Sequence, residues 1–221
     1  MYNFRMYEHF HDDYVNNPYH SVGLWFRKNV YKDYSYKGIV FEVGGCDPDL
    51  LSFSKHFILN GWKAYIFEPN PAYVEKHKEA GNNVYQVAVS DELSSERDFF
   101  IFEDEKKVAL GWSSLGLRMS DCKIKPKVIQ TPVITLNSFF EENNIDFVDI
   151  ISVDVEGWEP EVIDGFDEKK YNVRFFVLEM NGYKSEIDEL TEKMKRKGYK
   201  LVSSNHINWI FEKILNKKEG E

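Results

Sequence analysis

The chain has 221 residues, 43% apolar and 16% aromatic, enough buried surface to offset chain entropy and to exclude a mainly disordered protein. Its net charge of −9 repels phosphate backbones, so nucleic acid is not an expected partner. Two cysteines, Cys46 and Cys122, give neither a disulfide framework nor a cysteine-built zinc site, and no run approaches the roughly 18 apolar residues of a membrane helix. Residues 1–19 carry acids and histidines where a signal peptide has its apolar core, so the expectation is a soluble cytoplasmic protein with no membrane partner.

Residues 1–37 read as an N-terminal helical appendage, with one short helix in Ser21–Val30. From residue 38 to 215, short β-rich runs alternate with helical segments, the mark of βαβ units and a mostly parallel sheet in one α/β domain. Gly38–Val43 is the first strand, and the helix of Leu50–Gly61 ends on glycine. Lys63–Phe67 is the second strand, and the helix after it has Asn70 as N-cap and Pro71 at its first position. Asn83–Val89 reads as the third strand. Strand-like runs at 97–102 and 127–133 flank a polar segment, 103–126, that is too long for a simple connector and reads as a lid-like insertion. A helix opens at Thr135, and Asp146–Asp154 is the most apolar strand, expected at the centre. Asn172–Glu179, a helix at 185–197 and a hairpin from Tyr199–Ser204 and Ile207–Glu212 complete the sheet; residues 216–221 form a frayed tail.

Two motifs carry chemistry. In the first, a strand, the turn Gly44-Gly45 and a helix are followed by Glu68 at the end of the next strand. Glycines admit a ligand to the backbone, and a carboxylate about 20 residues on suits a ribose diol. Glu42 and Asp47 surround the turn with negative charge, which favours a cationic sulfonium nucleoside over a dinucleotide pyrophosphate. A plain βα turn with a solvated Glu68 is the competing reading. In the second motif, Asp154 ends the central strand, Glu156 and Gly157 turn the chain, and Glu159 opens a helix. Three acids there are costly unless they meet cations, polar ligands or solvent; helix capping is the alternative, and the position of Glu159 in a first turn fits it.

From Gly38 to about Glu212 the sequence resembles the FkbM family of S-adenosylmethionine-dependent methyltransferases. The resemblance rests on Glu42-Val43-Gly44-Gly45-Cys46, Glu68-Pro69, Thr135-Leu136-Asn137, the segment Ile151 to Glu159, and Glu179-Met180-Asn181. Against the family pattern, Glu42 replaces an Asp, Cys46 an Asn, Pro48 a glycine and Asn137 an acid. The resemblance implies a class I methyltransferase (Rossmann-like) fold, with a seven-stranded mostly parallel sheet, its last strand antiparallel, and helices on both faces. It also implies O-methylation of a hydroxyl on a sugar, glycan or related natural product. In that reading Glu42, Gly44 and Gly45 line the methionine part of the cofactor, Glu68 holds the ribose, and Asn70, Val87 and Ala88 lie near the adenine.

Asp154 and Glu156 are the candidate catalytic residues. Asp154, Glu179 and Asn181, at the ends of two adjacent strands, offer oxygen ligands that suit Mg²⁺, which acidifies a bound hydroxyl; Asp154 or Glu156 acting alone as base is the alternative. Trp112, Ser113 and Ser114, in the glycine-flanked stretch 111–116, are candidate substrate contacts on a lid, or else a packed surface excursion. The aromatic N-terminus packs on the sheet edge, walls the substrate site or makes a homodimer contact. His56, His77 and the other scattered histidines read as structural. Three further readings stand beside the enzyme. A dehydrogenase of the short-chain type is a weak alternative, since such an enzyme normally needs a Tyr-x-x-x-Lys pair and none of the 13 tyrosines has lysine four positions on. A scaffold that has lost its cofactor is the main alternative, and an RNA-cap methyltransferase is disfavoured by the acidic charge.

Overall fold

In the computed structural model, residues 18–102, 113–116, 125–205 and 207–215 are described. Seven strands form the main sheet: β1 (Ile39–Val43), β2 (Lys63–Phe67), β3 (Val84–Tyr85), β8 (Phe147–Val153), β9 (Asn172–Glu179), β10 (Tyr199–Asn205) and β11 (Asn208–Lys213). Their order is β10-β11-β9-β8-β1-β2-β3, and β11 alone runs antiparallel to its neighbours. This is the expected class I arrangement, with β8 and β1 at the centre. The apolar run of β8 is buried from Val148 to Val153, as a strand covered on both faces requires.

Alternate residues of the central strands feed two cores. On one face Phe41, Val43, Ile151, Val153, Phe176 and Leu178 pack against α4 (Leu136–Glu142), α5 (Glu159–Asp164) and α6 (Lys184–Arg196). On the other, Val40, Ile150, Phe175 and Val177 pack against Val22 and Phe26 of α1 (Pro18–Asn29) and Phe57 of α2 (Lys55–Leu59). The helix α3 (Pro71–Glu79) connects β2 to β3, capped as expected by Asn70, whose side chain accepts from Ala72 N; Thr135 caps α4 in the same way.

The structure corrects three details. The strand expected at 83–89 is two pieces, β3 in the main sheet and β4 (Ala88–Val89) in a second one, because the chain changes sheets at Gln86 and Val87. The runs at 97–102 and 127–133 do not join the main sheet. They are β5 (Ser94–Ile101) and β7 (Lys127–Ile134), an antiparallel pair in a four-stranded sheet of order β4-β7-β5-β6, where β6 is Ser113–Ser114. The helix expected over 50–61 is regular only at Lys55–Leu59, because the residues before it form turns that bind Glu42.

Candidate functional site

Register brings the two motifs together. Val43, the last residue of β1, sits opposite Phe67 of β2 and Val153 of β8, and Val153 sits opposite Leu178 of β9. The next residues are therefore level along the carboxyl edge: Glu68, Gly44, Asp154 and Glu179. Two strand spacings separate Glu68 from Asp154, roughly 10 Å. Cys46 lies between them, its thiol pushed up by burial and by the charges of both Glu68 and Asp154.

The glycine turn is fixed by contact. The amides of Gly44 and Gly45 both donate to Phe67 O, at 3.0 and 3.2 Å, and Asp154 N donates to Val43 O at 2.9 Å. Gly44 has φ +90, and a Cβ there would lie 1.8 Å from Asp154 O; one at Gly45 would lie 2.4 Å from the Ile66 side chain. Glycine is required because the backbone of one strand end touches that of the next. Beneath the turn, the buried His77 donates from Nε2 to Gly45 O and Cys46 O, at 3.2 and 3.0 Å, while Asn82 donates to its Nδ1. Burial holds this imidazole below its ordinary pKa, which keeps Nδ1 free to accept. Sequence reading left His77 as one more structural histidine; nothing in its neighbours signals the bracing role.

The acids divide into three kinds. Glu42 is buried at 2% exposure, and its carboxylate accepts from Phe53 N, Ser54 N and the hydroxyls of Ser52 and Ser54. It points into the layer under α1 and α2 and ties down the 52–54 turn, with its pKa pushed up to about 7 by burial. Glu68 accepts Cys46 N on one oxygen at 2.8 Å and Asn70 N on the other at 2.7 Å. Each oxygen keeps a lone pair, and burial raises this group also to about 7. Glu159 accepts from Val155 N and Gly157 N, so it ties down the turn before α5 rather than capping the helix as read, and burial again lifts it to about 7.

The third kind is a cluster: carboxylate oxygens of Asp154, Glu156 and Glu179 lie within 4.8 Å of one another. Glu156 takes the left-handed φ of 55 that turns its side chain into the group. Burial first, and then the neighbouring acids, hold Glu156 and Glu179 well above the usual carboxylate range. Glu179 is 7% exposed, and among the described residues its Oε2 has no hydrogen-bond partner. Of the three metal ligands read from sequence, Asp154 and Glu179 are together here and Glu156 joins them; Asn181 follows two residues beyond Glu179.

Over this cluster sits β6. Ser114, 1% exposed, donates from Oγ to Val155 O at 3.2 Å, with Glu156 O at 3.4 Å. A Cβ at Gly116 would lie 2.5 Å from the Trp158 ring, whose Nε1 donates to Ser90 Oγ. Ser113 is partly buried beside it, and Trp112 lies outside the described residues. Val87 follows β3, its amide donating to Tyr85 O, and Ala88 begins β4.

The Methyltransferase FkbM domain model matches residues 42–201. The chain belongs to the FkbM methyltransferase family. The family implies an S-adenosylmethionine cofactor. The structure of methyltransferase FkbM from Methylobacillus flagellatus superposes with a TM-score of 0.51 at 10% identity, covering 95% of this chain and 50% of that one. The METTL16 MTase domain gives 0.49 at 12%, covering 86% and 65%. Precorrin-6y C5,15-methyltransferase from Geobacter metallireducens gives 0.41 at 13%, covering 86% and 84%. This FkbM chain thus spans half of the Methylobacillus protein, and at 10% identity that likeness is one of fold. A comparison with curated proteins finds no match. No helix among the described residues is long and apolar enough to cross a membrane.

The residues present fit the cofactor that the family implies. Glu68 retains lone pairs for a ribose diol, and an edge lined by acids complements a sulfonium.

Proposed function

We propose that this protein is an S-adenosylmethionine-dependent O-methyltransferase acting on a hydroxyl of a sugar, glycan or related natural product, in a cytoplasmic setting. The observation that carries the proposal is the level row of Glu68, the glycine turn and Asp154, with Glu156 and Glu179 closing on Asp154. Glu68 holds the ribose, Gly44 and Gly45 lie against the methionine part, and Asn70, Val87 and Ala88 border the adenine. When bound, the cofactor supplies an electrophilic methyl group.

The chain's task is then to hold an acceptor oxygen in line and to take its proton. Alignment supplies much of the acceleration of such a displacement. A carboxylate whose pKa is raised is a stronger base than an ordinary one, and burial and neighbouring acids raise both Glu156 and Glu179. Asp154 is the group nearest the turn, and Glu156 is its partner. The mutual approach of three carboxylates favours a second version, in which Asp154, Glu156 and Glu179 would hold Mg²⁺ and the ion would supply Lewis-acid polarisation of the acceptor hydroxyl. Ser113 and Ser114 on the β6 side contact the acceptor, and the acidic chain gives no footing for nucleic acid.

The test is a screen of sugars and glycans for S-adenosylhomocysteine release, run with Asp154→Asn and with added Mg²⁺ or chelator. The expected result is turnover lost by roughly a hundredfold or more in Asp154→Asn with cofactor affinity kept within about threefold. Chelator sensitivity selects the metal version. Lack of cofactor binding at millimolar concentration refutes the enzyme and leaves a binding protein on a methyltransferase fold.

A further inference from the structure

At the opposite end of the sheet, where β1 and β2 begin, buried nitrogen donors gather around Arg27. This residue, in the last turn of α1, is 3% exposed, yet among the described residues Nε, Nη1 and Nη2 have no hydrogen-bond partner. Trp62 lies against it and His56 stands near enough to feel its charge; both are buried, and among the described residues Trp62 Nε1 and His56 Nε2 are likewise unpartnered. The guanidinium carbon lies 5.7 Å from the centre of the Trp62 ring and 4.9 Å from that of Tyr34. Asp33, the acid nearest in sequence, is exposed and accepts from Ser35 N instead.

A guanidinium does not shed its proton, so it has no way to become neutral when buried. The ring faces and the carbonyl end of α1 attract the positive charge. The two rings, however, cover its faces and offer no acceptor to the N–H groups that point outward in its plane. Burial, and then the Arg27 charge, hold His56 below its ordinary pKa, so near neutral pH it is uncharged and in one tautomer presents an N–H at Nε2. Every atom left open in this cluster is therefore able to donate. Lys37 adds a further cation alongside, donating to Tyr34 O at 2.9 Å and Asn60 O at 2.6 Å, which anchors the backbone of Tyr34, a residue 62% exposed overall. An acceptor with two or three oxygens in a plane or tripod matches the edge of the guanidinium.

We infer that Arg27, Trp62 and His56 form a second binding site, separate from the methyl-transfer edge, for a small oxyanion of the phosphate or carboxylate type, admitted by movement of the exposed Tyr34 ring. The site lies across the sheet from Glu68 and Asp154 and does not depend on the proposed reaction.

The experiment is an NMR titration of the full chain, without methyl donor and at constant ionic strength in chloride. Inorganic phosphate is added in one arm and acetate in the other. One of the five tryptophan indole N–H signals, assigned with Trp62→Phe, and one arginine Nε–H signal, assigned with Arg27→Met, should shift saturably below about 10 mM of at least one anion. The arm that saturates earlier identifies the ligand as phosphate-like or carboxylate-like. Arg27→Met should abolish the saturable response. Trp62→Phe keeps a ring over Arg27 but removes the indole donor and should weaken binding by roughly five- to tenfold, read on the arginine signal. The inference is overturned if neither anion moves these signals saturably in the wild-type chain, or if Arg27→Met responds as the wild type does. Should Arg27→Met not fold, the wild-type and Trp62→Phe titrations decide alone, equal affinity in the two counting against the site.

Discussion

Glu42→Gln tests the reasoning that a family-specific acid position here serves the turn beneath it. Glu42 is raised from its ordinary 4.5 to about 7 by burial, so the folded chain holds its proton more tightly than the unfolded chain does. The sign follows: the stability from this group is complete below about pH 4.5 and is lost as pH rises toward 7 and beyond. At roughly 1.4 kcal/mol per pH unit the full loss is about 3 kcal/mol. Glutamine carries no such dependence, but its amide nitrogen must face either Phe53 N or Ser54 N, a donor against a donor, costing about 1–3 kcal/mol. The variant should therefore be less stable than wild type by about 2 kcal/mol at pH 5, with the gap closing or reversing by pH 8. Urea unfolding followed by circular dichroism across that range measures it. Because Glu68 and Glu159 titrate in both proteins, the difference between the curves isolates Glu42. A gap that stays constant from pH 5 to 8 would refute the claim that this carboxyl is raised by burial.

Three other outcomes follow from the same contacts. Gly44→Ala places a methyl where φ is +90 and Asp154 O is 1.8 Å away, and should cost about 2–4 kcal/mol in urea unfolding; a loss under about 0.5 kcal/mol would show that the turn relaxes freely. Glu68→Ala strips acceptors from Cys46 N and Asn70 N and removes the proposed ribose contact, so calorimetry should find S-adenosylmethionine bound roughly 10- to 100-fold more weakly; unchanged affinity would remove Glu68 from the site. Ser114→Ala unties β6 from the Val155 and Glu156 carbonyls and should lower kcat/KM by roughly five- to tenfold with cofactor affinity unchanged, whereas a matching loss of cofactor affinity would argue that the serine acts on the cofactor side.

The sequence alone determined the parts whose cause is local. Central strands buried on both faces must be continuous apolar runs, so Phe147–Val153 was legible as the middle of a parallel sheet. Caps leave their mark in a few neighbouring residues, so Asn70-Pro71 and Thr135 announced their helices. Acids at strand ends likewise announced one edge, because register in a parallel sheet makes those ends level. Tertiary structure decided whatever depends on partners far away in the chain. β5 and β7 look like any other strands, and only their antiparallel pairing set them apart in a second sheet. Glu42, read as a cofactor contact, spends its carboxylate on Ser52, Phe53 and Ser54 of the 52–54 turn, since alternation along β1 sends it under α2. Glu156 joins Asp154 and Glu179 through one left-handed residue, and Arg27 meets Trp62 across 35 positions of sequence. Side-chain direction at a turn and contacts between distant segments are fixed by the packing of the whole, which residue order encodes but does not display.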